Sequence, residues 1–132
     1  CPVVQRHYKD DAMQNLAKKW MKKGVIWWAI DSTNYAKAEA VEEWRVAKKA
    51  DQPILLDPTG DVGRAYGAKT TPHMYIVKDG AILYQGGIDD GAKDDATVNY
   101  VDKALAEISE GKAVSEPKAP PYGCSVKYPS GA

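Results

Sequence analysis

A chain of 132 residues, 44% hydrophobic and 27% charged, is long enough for one core of two or three layers and too short for two separate domains. Lysines and arginines number 18 and balance 18 aspartates and glutamates, so no net field favours nucleic acid or an anionic membrane surface. The longest apolar run, Val25 to Ile30, is far shorter than a bilayer span, so no membrane-spanning helix, and no membrane partner, is expected for the visible chain.

Pro2 suits the first turn of a helix, and Val3, Val4, His7 and Tyr8 follow at near-helical spacing. Asp10 or Asp11 can cap a second helix, with Met13, Leu16, Ala17, Trp20 and Met21 on one face and lysines on the other; Gly24 ends it. Val25 to Ile30 lacks polar alternation and reads as a strand buried on both faces. Asp31-Ser32-Thr33-Asn34 offers several N-caps for a helix over Tyr35 to Ala50, which turns Ala38, Val41, Trp44 and Ala47 toward the core. Pro53 to Leu56 reads as a short buried strand, Asp57-Pro58-Thr59-Gly60 as a turn, and Asp61 to Tyr66 as one or two helical turns stopped by Gly67.

Lys69-Thr70-Thr71-Pro72-His73-Met74-Tyr75-Ile76-Val77 is a turn running into a strand, with Pro72 at the strand's first position, where a missing N–H costs nothing. Pro72 alone reads as trans; its combination with Cys1-Pro2 at a helix start shifts the expectation toward a cis Thr71–Pro72 bond. Lys78-Asp79-Gly80 signals a hairpin with Ala81 to Gln85 as the returning strand. Asp94 and Asp95 open the last predicted helix, whose stripe is Val98, Val101, Ala104, Leu105 and Ile108 and whose stop is Gly111. An extended, proline-containing tail follows. The four tryptophans lie in patterned elements and read as core.

Cys-Pro at a helix start and Thr-Pro before a strand, separated by alternating strand and helix signals, resemble the thioredoxin fold. Within it, the sequence is similar to redoxin proteins of the alkyl hydroperoxide reductase and thiol-specific antioxidant (AhpC/TSA) family. The likeness runs through Cys1-Pro2-Val3-Val4-Gln5-Arg6-His7-Tyr8, the stretch Leu55 to Ala68, Thr71-Pro72, Gly87-Ile88-Asp89-Asp90 and the tail Tyr122-Gly123-Cys124-Ser125-Val126-Lys127-Tyr128. It implies an α/β thioredoxin-like three-layer sandwich over residues 1–111, truncated before its first helix, with an extended tail over 112–132. Such a domain has one more strand before Cys1, in the middle of the sheet. Either sequence upstream of Cys1 has been removed, or the Val25 strand pairs directly with the Met74 strand, or a second copy supplies the missing edge. Because two unpaired edges are a poor stable state, a homodimer through strand exchange or edge pairing is one of these expectations. The resemblance also suggests an exported bacterial protein.

Cys1 is the candidate nucleophile: a thiolate at a helix start is stabilised by free N–H groups and the helix dipole, which lower its pKa from ~8.5. Its bland alternative is a small buried hydrophobe or half of a structural disulfide; a lipid-modified terminal cysteine is a further one. Val4 occupies the second position of a dithiol motif, so a local disulfide is excluded. With the tail motif included, the resemblance implies Cys124 as resolving thiol, against a free or interchain Cys124. It also implies that Thr71 and Pro72 line a groove for a disulfide substrate, protein or small molecule. The expected activity is thiol–disulfide exchange; the alternatives are a non-catalytic binding module and a thiol peroxidase, the latter weakened because Lys69, Thr70, Thr71 and His73 stand where peroxiredoxins carry an arginine. No cofactor is expected. His7 and His73 with the two cysteines match no metal-motif spacing.

Overall fold

Pro2 opens the first helix of the computed structural model, which describes residues 1–9, 11–34, 36–91 and 98–128. The chain forms two compact units, one of Cys1 with Lys69–Cys124, the other of Pro2–Ala68 with the tail from Ser125 onward.

In the Pro2–Ala68 unit, α1 (Pro2–Lys9) and α2 (Ala12–Met21) bury His7, Tyr8, Met13, Gln14, Leu16, Ala17 and Trp20. In α2 the helical spacing predicts Met13, Leu16, Ala17 and Trp20, while Met21, expected beside them, is only half-buried. Buried Gln14 joins this stripe because its Nε2 donates to the carbonyl of Lys48 (2.8 Å) and to that of Tyr8 (2.9 Å), which also accepts from Asp11 N (3.2 Å). Asp11 precedes α2 at φ 57° and makes no side-chain cap bond. A capping side chain needs an extended backbone to reach the first-turn N–H groups, and the left-handed conformation withholds it. The other cap candidate, Asp10, lies outside the described residues.

Several expectations for this unit are corrected. Strand β1 is only Ala29–Asp31, paired in parallel with β2 (Ile54–Leu56). Along Val25 to Ile30 burial alternates, leaving Ile26 77%, Trp28 62% and Ile30 43% exposed, so neither this stretch nor Trp28 is core; Leu55 and Leu56 are exposed as well. A run that is apolar at both parities carries no signal for which face is covered, and one face here is not. Helix α3 is Ala38–Ala47, starting after the predicted caps, and it buries Val41 and Trp44 only partly while Ala38 and Ala47 are exposed. The cap candidates are engaged elsewhere: Asp31 accepts from its neighbour Thr33 N, Ser32 donates to Asp57, and Asn34 binds the carbonyls of Lys127 and Tyr128.

The Asp57 turn organises the end of this unit. Asp57, 5% exposed, accepts from Ser32 Oγ (2.7 Å), Gly63 N (2.9 Å) and Val62 N (3.3 Å), satisfying first-turn donors of α4 (Asp61–Tyr66). Burial pushes its carboxyl pKa up, but the bonds from Gly63, Ser32 and Val62 and the charge of Arg64 outweigh it, and the net shift is downward. Tyr128 packs against Gly60 and Gly63, donates to Ala68 O (2.7 Å) and lies under the Arg64 guanidinium. A depressed folded-state pKa means that Asp57 stabilises fully above its unfolded value of ~3.9 and loses that contribution as pH falls through the folded value. Asp57→Ala is therefore expected to cost about 1–3 kcal/mol at pH 7, through donors left buried and unpaired. In urea titrations the wild-type advantage over this variant should shrink below pH ~4; an advantage constant from pH 7 to 3 would contradict the assignment.

In the Lys69–Cys124 unit, β4 (Met74–Lys78) and β5 (Ala81–Gly86) form an antiparallel hairpin through Asp79 (φ 52°) and Gly80 (φ 79°), the pair of positive φ angles that a two-residue hairpin turn requires. Pro72 lies two residues before β4 and not at its first position; it directly follows the short strand β3 (Thr70–Thr71). Helix α5 is Tyr100–Ser109, capped by Asn99, whose side chain accepts from Asp102 N (2.8 Å). Its buried residues are Val101, Ala104 and Leu105, while Val98 falls before the cap and is exposed. The predicted openers Asp94 and Asp95 lie outside the described residues. Fully buried Tyr84 donates to Gly87 O, and its hydroxyl pKa is raised, chiefly by burial.

The tail runs parallel to β5: Gln85 N donates to Pro117 O (3.0 Å) and Ala119 N to Gln85 O (3.2 Å). Tyr122 Oη then donates to the Asp89 carboxylate. These bonds lead the chain into β6 (Cys124–Ser125), which pairs with β3.

Candidate functional site

Cys1, Thr71, Pro72 and Cys124 all lie in the Lys69–Cys124 unit, and they meet where β3 ends. Cys1 and Cys124 form a disulfide with their Cα atoms 6.0 Å apart. Cys1 is exposed and Cys124 half-buried, so the bridge is open to an attacking thiol. Cys1 Sγ lies 3.4 Å from the carbonyl oxygen of Thr71, which can accept from the thiol once the bridge is reduced. The Thr71–Pro72 peptide bond is cis. Thr70 Oγ1 donates to Pro72 O (3.0 Å), fixing the loop around the proline.

His73 is turned to a structural role. Its Nδ1 accepts from Lys69 N (3.2 Å) and its ring stacks on Tyr75 at 4.8 Å. Burial, then the Lys69 charge, lowers its pKa, so the imidazole is neutral at neutral pH. His7 is buried within α1. No group of three or more His, Cys, Asp or Glu that could hold a metal occurs among the described residues, and no helix among them is long and apolar enough to cross a membrane.

One site residue has no role in the sequence-based expectation, which names it only within the tail motif Tyr122 to Tyr128: Gly123. It adopts φ +134°, and a Cβ there would lie 2.9 Å from the Thr71 carbonyl carbon, closer still to its oxygen, and 3.3 Å from Pro72 Cδ. The only sequence signal was a glycine directly preceding the tail cysteine.

The mixed α/β scaffold, with Cys1 before a helix start and Thr71-Pro72 ahead of strand β4, is of the thioredoxin-like class. Solved structures share the fold, two of them as follows. A hypothetical protein from Sinorhizobium meliloti 1021 is 27% identical at a TM-score of 0.87, covering 99% of this chain and 75% of its own. An uncharacterized conserved protein from Geobacillus kaustophilus is 29% identical at a TM-score of 0.85, covering 98% of this chain and 72% of its own. No protein of curated function matches the chain. The model of the AhpC/TSA family matches residues 1–85, and the chain belongs to that family.

Proposed function

We propose that this protein is a thiol–disulfide oxidoreductase in which Cys1 is the nucleophile and Cys124 the resolving thiol. The observation that carries the reading is the Cys1–Cys124 bridge beside the Thr71 carbonyl. In the reduced protein the Cys1 thiolate attacks one sulfur of a substrate disulfide, forming a mixed disulfide and expelling the other sulfur as a thiolate. The Cys124 thiolate then attacks the Cys1 sulfur, closing the internal bridge and releasing the second substrate thiolate. Two electrons pass from the dithiol to the substrate, and the leaving thiolates take their protons from solvent. An external thiol reductant must reopen the bridge. Thr71 and Pro72 supply the backbone edge against which a protein or small-molecule disulfide is held.

The test is catalysis of glutathione disulfide reduction by dithiothreitol at pH 7. Wild type is expected to accelerate it and Cys1→Ser to leave it at the uncatalysed rate; no acceleration by wild type would favour the binding-module reading. Consumption of hydrogen peroxide by the reduced protein in preference to disulfides would instead select the peroxidase.

A further inference from the structure

The backbone at β3 that a substrate would use is already taken by the protein's own tail. Strand β6 pairs with β3, and Cys124 is delivered to Cys1. We infer that the groove selects an extended peptide in which glycine immediately precedes the reacting cysteine, and that in the oxidised protein Gly123-Cys124 is that peptide. The inference rests on the reading of Cys1 as an exchange site.

The selectivity comes from Gly123. Its neighbours are the Thr71 carbonyl and the Pro72 ring, which are backbone or fixed to it and cannot swing aside as a flexible side chain would. Any other residue would place its Cβ against them while also adopting a positive φ that L side chains avoid. The approach is fixed from the N-terminal side as well. Tyr122 is tied to Asp89, and a Cβ on Gly87 would lie 2.8 Å from Pro120 O, so the tail cannot shift outward to relieve a clash at position 123 without losing these contacts. An outside peptide and the tail therefore compete for one edge, and an incoming reductant has to be small or has to displace the tail.

The experiment uses the full chain carrying Cys124→Ser, with Cys1 converted by Ellman's reagent to a mixed disulfide with thionitrobenzoate. A peptide thiolate then attacks the Cys1 sulfur; the Cys1–peptide disulfide forms and thionitrobenzoate leaves with the electron pair, which is read by its absorbance. The peptides are Tyr-Gly-Cys-Ser-Val-Lys-Tyr and the same sequence with alanine in place of glycine. The glycine peptide is expected to react about tenfold faster, the ratio that a disfavoured positive φ imposes, and the two should react alike with the thionitrobenzoate disulfide of glutathione. Equal rates at Cys1 would overturn the inference and leave the exchange reading standing. Failure of Cys1 to take the label would remove that reading and the inference with it. In the chain with both cysteines, Gly123→Ala is expected to lower the equilibrium constant for closing the Cys1–Cys124 bridge in glutathione buffers by a similar factor; an unchanged constant would also overturn it.

Discussion

Cys124→Ser is expected to stop the reaction at its midpoint. When the reduced wild-type protein meets glutathione disulfide, the adduct on Cys1 should give way to the internal bridge, because the second thiol is held on the same scaffold, within 6.0 Å measured between Cα atoms in the bridged form. Without that thiol, the adduct persists until an outside thiol reaches it. A positioned intramolecular group commonly outcompetes a millimolar external one by a factor of roughly 10² or more, so the adduct lifetime should lengthen by at least that much. Intact-mass measurement over time separates the two: a transient adduct and then the bridge for wild type, a stable adduct for Cys124→Ser and no adduct for Cys1→Ser. Equal lifetimes with and without Cys124 would remove it from the mechanism.

The second large effect is on stability. The bridge joins residues 123 apart in sequence, so it constrains nearly the whole unfolded chain, and reducing it is expected to cost about 2–5 kcal/mol. Urea titrations with and without a phosphine reductant measure this directly, and Cys124→Ala in oxidising buffer should reproduce the reduced wild-type curve. Coincident curves for oxidised and reduced wild type would mean that the tail's remaining anchors hold the ends together unaided. Those anchors include the Gln85 backbone pairing with Pro117 and Ala119, the Tyr122–Asp89 bond, the pairing of β6 with β3 and the Tyr128–Ala68 bond.

Where local rules were sufficient, the elements could be read before folding. The stripe of α2, the Asp79-Gly80 hairpin and the short helix α4 ended by Gly67 depend on helical periodicity and on positive-φ positions, which neighbours in sequence decide. The start of α3 failed because Asp31, Ser32 and Asn34 satisfy distant or adjacent partners in place of a first helical turn. The exposure of Ile26, Trp28 and Ile30 was illegible for a different reason: burial belongs to the covering element, and a strand's own residues do not record whether one is present.

The site divides along the same line. Cys1, Thr71, Pro72 and Cys124 could be named through the resemblance to AhpC/TSA redoxins, since Cys-Pro, Thr-Pro and a tail cysteine are each too common to mark a site alone. Sequence by itself also determined the balanced charge, the lack of a local dithiol motif and the two thiols available to any redox cycle. Only the tertiary structure decided that the tail runs along β5, that β6 takes the edge of β3, and that Gly123 lies against Thr71 and Pro72 so closely that no Cβ fits. The physical reason is range: a turn or a helical stripe is fixed by residues a few positions apart, whereas a steric limit between positions 71 and 123 exists only once folding has brought their backbones together.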